Sequence, residues 1–167
     1  MFWKHVLARE FPGRPVVGIS WRTGSYNAAG LYQTAIYEWN SVLDRTDVHF
    51  ISLQYDCDRD EIGEINRSLG CSLNPIDGID IFNELDDLAS LIRALDLVVS
   101  IDNINANLAG ALGVQTIQLT EPWGHSRLGQ NFCPFYPSVK LVPLTQRDRE
   151  AAFKATSDLI TDLIDRT

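Results

Sequence analysis

Cysteine is scarce and scattered in this chain. Cys57, Cys71 and Cys133 form no CxxC pair, and His5, His49 and His125 do not fall at ligand spacing with them. That argues against a structural zinc site, and no metal site is expected. An odd, sparse cysteine count fits a reducing compartment. No run of roughly 18 apolar residues occurs, so no membrane span is expected. The N-terminus lacks the long apolar core of a signal peptide, and the cytoplasm is the expected location. Positive charge is thin as well: 14 Lys and Arg stand against 22 Asp and Glu, a net charge of −8. An acidic surface argues against polymeric nucleic acid or an anionic membrane as partner. It leaves room for one small anion in a local pocket. The GK[ST] ending of a Walker loop, GxGxxG and GxSxG are all missing, which weakens any reading as a P-loop enzyme, a generic dehydrogenase or a hydrolase. Repeats, linkers and low-complexity tracts are lacking too.

What the chain does have is alternation. Its 167 residues, 45% hydrophobic and 22% charged, suffice for one domain with a sizeable core. Apolar β-branched runs predict strands at residues 14–21, 48–53, 72–76, 97–101, 114–119 and 139–144. Helical stripes fall between them, over 31–44, 58–69 and 83–95 and in a small-residue segment around Ala106–Ala111, with a closing helix over 148–164. Asp58 reads as an N-cap, Gly70 as a stop and Gly113 as a C-cap. Residues 1–13 read as an N-terminal extension that forms a short packed helix. Strand and helix in turn predict an α/β fold, a Rossmann-like doubly wound parallel sheet in three layers, as one domain over 1–167.

The stretch Asp96–Gly113 is the most informative. A buried strand ends at Ile101, and Ser100, Asp102, Asn103, Asn105 and Asn107 crowd in at once. Ligands of parallel α/β sheets bind outside the carboxyl ends of the strands, and helix N-termini favour anions. An anionic ligand is therefore expected at this turn. The alternative is a core strand whose end is capped by Asp102 or Asn103. The loop 22–30, with Gly24 and Gly30, either wraps a phosphate or merely turns the chain. The irregular stretch 120–137 is long enough to serve function.

Val17–Trp21, Phe50–Tyr55, Leu95–Asp102 with Ala106–Gly113, and Tyr136–Val139 occur in an order that resembles the C-terminal half of GT-B glycosyltransferases of the heptosyltransferase-like kind. It is similar above all to the versions found downstream of tetratricopeptide repeats in bacterial proteins. The similarity runs from about residue 14 to about residue 145. The resemblance implies a domain that holds a nucleotide-diphosphate sugar as substrate and needs no cofactor. It implies that Ser100, Asp102, Asn103, Ala106 and Asn107 lie at the donor diphosphate, with Asn103 where the family carries a hydroxyl residue and Asn107 where it carries a histidine. Both can hydrogen-bond a phosphate or ribose, but neither carries the charge of a histidinium. Arg22 and Gly24 fall where relatives place a basic residue, and Trp123 where relatives place a tryptophan by the donor. Trp123 can equally be an anchor for its loop. Glu121 would meet a ribose or sugar hydroxyl. His125 is not expected to be the general base, because such enzymes draw the base from an N-terminal domain, and no catalytic residue is assigned. Two functions follow as expectations: the donor-binding half of a glycosyltransferase, completed by an N-terminal GT-B half or a repeat domain, or an inactive GT-B-like module acting as a scaffold or homodimer.

Overall fold

The computed structural model describes residues 2–23 and 34–165. Six strands form one parallel sheet: β1 Val16–Ser20, β2 His49–Ser52, β3 Leu73–Asn74, β4 Leu97–Ile101, β5 Thr116–Thr120 and β6 Val139–Pro143, in the spatial order β3-β2-β1-β4-β5-β6. Every neighbouring pair is parallel, with Val17 opposite Leu97 and Val98 opposite Thr116. The order runs outward in one direction from β1 and in the other from β4, so the direction of winding reverses between these two strands. The doubly wound α/β sheet expected from the alternation is therefore present.

Side-chain alternation divides the core between two faces. Val17, Ile19, Leu97, Val99, Ile101, Ile117 and Leu119 face one layer of helices, made of α2 Asn40–Leu43, α3 Arg59–Leu69 and α6 Arg149–Ile164. Val16, Ile51, Leu53 and Val98 face the other, made of α1 Phe2–Glu10, α4 Leu85–Ile92 and α5 Ile104–Ala111. The N-terminal extension is thus a packed helix, with Trp3 and Leu7 buried beside α4. Helix α3 is capped as expected: the Asp58 carboxylate accepts from the Glu61 N–H at 2.8 Å, and Gly70 closes it in the left-handed region. Gly113 does the same two residues beyond the end of α5, at φ 72°.

Two helices are shorter than their apolar stripes. Of the expected helix over 31–44, residues 31–33 lie outside the described residues. The remainder is a 3₁₀ turn, Ile36–Trp39, running into the single α turn of α2. The Thr34 hydroxyl donates to the Trp21 carbonyl and accepts from the Trp39 indole N–H. That bond ties the chain to the end of β1, and Ala35 stays extended there. The expected helix over 83–95 begins only at Leu85, because the Asp80 carboxylate takes the Phe82 and Asn83 N–H groups at 3.0 Å and holds them in a turn.

Helix α5 lies close to the sheet because Gly110 has no side chain. A Cβ there would sit 2.6 Å from the Tyr136 ring and 2.8 Å from a Val139 methyl. Alanine gains about 1 kcal/mol of helix propensity over glycine, but overpacking of this kind costs about 1–3 kcal/mol. Gly110→Ala is expected to lower stability in urea denaturation; a more stable variant would contradict the close approach.

Candidate functional site

The winding reverses between β1 and β4, and the usual ligand position in such sheets lies outside their carboxyl ends. Its floor is a buried polar network. Ser20, at the end of β1, accepts from the Asn103 amide at 2.8 Å and the Asn105 amide at 3.0 Å. Asn105 also donates to the Leu53 carbonyl at 3.1 Å, beyond β2. Gln54 accepts the Trp21 and Arg22 N–H groups at 3.2 and 3.1 Å. Ser20, Gln54 and Asn105 are all nearly inaccessible to solvent. The three strand ends β2, β1 and β4 are thus joined through side chains, in a region where the sheet itself no longer pairs.

Asn103 is the N-cap of α5. Its Oδ1 accepts from the Asn105 and Ala106 N–H groups at 3.0 and 3.4 Å and lies 2.8 Å from the Ser100 hydroxyl. Its carbonyl takes the Asn107 N–H and side-chain amide, the latter at 2.9 Å. The cap and the anion site expected from the sequence therefore compete for the same donors, and the cap holds them here. Asn107 is exposed on the first turn of α5, Ala106 is buried behind it, and Ser100 is buried in β4.

Asp102 is fixed from the β5 side. One oxygen accepts from Thr120 at 3.1 Å and from Ser126 at 2.9 Å, and Gln118 in turn donates to Ser126 at 2.9 Å. The loop after β5 can cross this carboxylate because residue 124 is glycine. A Cβ there would lie 2.2 Å from the Thr120 hydroxyl and 3.3 Å from the Asp102 carboxylate. Thr120, Gly124, Ser126 and Gln54 were not singled out in the sequence, whereas Asn105 stood among the polar residues that crowd the turn. A glycine two residues before a serine, shortly after a strand, is a weak signal until the strand is known to neighbour β4.

Charge at the rim is predominantly negative. The Arg22 guanidinium is gripped by Asp56 at 3.0 Å and by Glu61 at 2.6 Å. The hydrogen bond to Glu61, and secondarily Asp56, outweighs burial and raises its already high pKa. Its charge is thus cancelled within the protein, on the β2 side of the site and not beside Asp102. Burial first, then Glu61, pushes the nearby Cys57 thiol up to about 12, which disfavours its thiolate. Glu121, at the end of β5, is 5% exposed, and its Oε2 has no hydrogen-bond partner among the described residues. Trp123 is 70% exposed, so the reading as a buried anchor for its loop does not hold. With Ile104 and Leu128 it leaves apolar surface along this rim. Gly24 lies outside the described residues. Among the described residues, no three His, Cys, Asp or Glu side chains group to hold a metal ion, and no helix is long and apolar enough to cross a membrane. The site offers the hydroxyls of Thr120 and Ser126, the exposed Asn107 side chain at one helix start, and the exposed apolar side chains of Ile104, Trp123 and Leu128.

No known protein-family signature matches the chain. Solved structures share its fold across nearly its whole length. Escherichia coli ADP-heptose lipopolysaccharide heptosyltransferase II superposes with a TM-score of 0.67 at 16% identity, over 99% of this chain and 52% of that one. A family 9 glycosyltransferase from Veillonella parvula gives 0.65 at 9%, over 100% and 52%, and E. coli heptosyltransferase WaaC with ADP gives 0.62 at 13%, over 96% and 48%. The fold is that of the C-terminal half of GT-B heptosyltransferases. Protein FlbA of Caulobacter vibrioides is 39% identical over 140 residues, 83% of this chain and 23% of that protein. The chain thus spans about half the length of the solved structures and less than a quarter of this curated relative.

Asn103 carries both the cap and the bridge to β1. Asn103→Ala is expected to cost about 1–3 kcal/mol, from the lost cap and from the buried Ser100 and Ser20 hydroxyls left short of a partner. Thermal or urea unfolding checks this, and a loss below about 0.5 kcal/mol would remove the network from its central place.

Proposed function

We propose that this chain is the donor-binding half of a glycosyltransferase, and that a nucleotide-diphosphate sugar seats outside the carboxyl ends of β1, β4 and β5. The observation that carries the reading is the Glu121 carboxylate. It is buried at the carboxyl end of a strand, in the edge of the sheet where such ligands bind, with one oxygen lacking a donor. A buried acceptor without a partner costs about 1–3 kcal/mol, more when charged. The vicinal hydroxyls of a ribose or hexose are the donors it lacks. In this reading the first turn of α5, with the Asn107 amide outermost, faces the diphosphate. Asp102, Asn103, Ser100 and Ala106 hold that turn in place, and Trp123 covers a ring of the ligand. The fold shared with heptosyltransferases, one of them solved with ADP, makes ADP the first nucleotide to try.

The apolar lip formed by Ile104, Trp123 and Leu128 is the surface on which a second Rossmann-like half, or a repeat domain, would close. That second half would bring the acceptor and the general base, and this chain alone would bind donor without turning it over. The same lip also suits the alternative reading, a self-associating module without catalysis, which differs in needing no nucleotide.

Thermal shift with ADP, UDP, GDP and CDP, each up to millimolar, tests the proposal. A nucleotide at 100 times its Kd stabilises by about 2.7 kcal/mol, and hydrogen exchange at residues 100–107 should slow in its presence. No shift with any of the four, together with a concentration-dependent dimer in sedimentation, would favour the module.

A further inference from the structure

The proposed donor site needs a cation for its diphosphate, and the basic residue expected after β1 is already spent on two carboxylates. We propose that Arg127, from the loop after β5, supplies that cation in place of Arg22. This rests on the donor-binding reading above.

Arg127 closes a 3₁₀ turn, His125–Arg127, that begins at Gly124. Its chain neighbour Ser126 donates to Asp102 at 2.9 Å, which brings the backbone of this loop to the turn that starts α5. Arg127 is only 9% exposed. Its Nε donates to the Gln130 carbonyl at 2.9 Å, yet its buried Nη1 meets no acceptor, and no ion pair among the described residues includes it. A buried cation without a counter-charge is costly. Arginine is also the side chain whose planar fork suits phosphate oxygens. The chain is bent sharply just after it. Leu128 holds φ 46°, the one non-glycine residue with positive φ among those described, and Gly129 follows at φ 76°. For a leucine the left-handed region costs about 1–2 kcal/mol, so the loop accepts strain next to the residue whose guanidinium it buries. Glu121 and Arg127 then divide the ligand between them, the carboxylate taking hydroxyls and the guanidinium taking diphosphate oxygens. This division also lets a diphosphate enter a rim that carries Asp56, Glu61, Asp102 and Glu121.

Calorimetry on the whole chain tests it, with ADP, UDP, GDP and CDP set against their nucleosides. The expected result is that Arg127→Gln lowers affinity for the best diphosphate at least tenfold, with nucleoside affinity within about twofold, while Arg22→Gln changes the diphosphate-to-nucleoside ratio by no more than about threefold. A ratio kept by Arg127→Gln, or lost in Arg22→Gln, overturns the assignment of Arg127 and leaves the donor site standing. Should Arg127→Gln fail to fold, Arg127→Lys carries the test. Lysine keeps the charge without the fork, so diphosphate affinity should fall at least threefold; unchanged affinity overturns the proposal. A wild-type chain that binds none of the four diphosphates at millimolar concentration overturns the donor reading and this inference with it.

Discussion

One side chain bridges the two halves of this sheet where their windings part. Asn103 caps α5 with its oxygen and reaches Ser20 of β1 with its nitrogen. Parallel strands that wind away from each other leave a gap at their carboxyl ends, and in most such folds that gap belongs to a ligand. Here its floor is closed by amides and hydroxyls of the protein itself. Ser20, Gln54, Asn103 and Asn105 are linked across three strands, with only the Asn105 Oδ1 left without a donor among the described residues. A buried network of this kind is strong only when its members are paired, which makes Asn103 hard to replace.

The consequence is chemical. A helix start that is already capped by a neutral amide has fewer free N–H groups to offer an anion, and a ligand must come to the outer part of the turn. The charges around it are arranged accordingly. Positive charge on the β2 side is cancelled by Asp56 and Glu61, and on the β5 side stands buried Arg127, which has no counter-charge among the described residues. The polar half of the site is thereby shifted toward β4 and β5, where Asp102 is fixed by Thr120 and Ser126 and where Glu121 holds an unused oxygen.

The sequence was most readable where local rules act alone. The Asp58 cap, the Gly70 and Gly113 stops and the six apolar runs all lie where their residues predict, because each depends on a few neighbours along the chain. The Leu31–Asp44 stripe misled because Thr34 is tied to Trp21, a contact made across the fold that periodicity cannot register. Trp123 misled in a related way: a tryptophan in a long loop suggests an anchor, but this one stays outside, at the rim of the site.

Composition, alternation and capping residues by themselves determined an α/β chain with a parallel sheet and pointed to the turn after Ile101, since these follow from period and from intrinsic preference. Which side chains meet at that turn was decided only by tertiary structure. Arg22 follows β1 in either account, and nothing in its neighbours reveals that Asp56 and Glu61, more than thirty residues away, fold back to claim it. Arg127 looks ordinary in a loop, and Glu121 stands out in the sequence only as a carboxylate directly after a strand. Their burial, and the partners they lack, come from strand order, because only pairing β5 beside β4 carries that loop over Asp102.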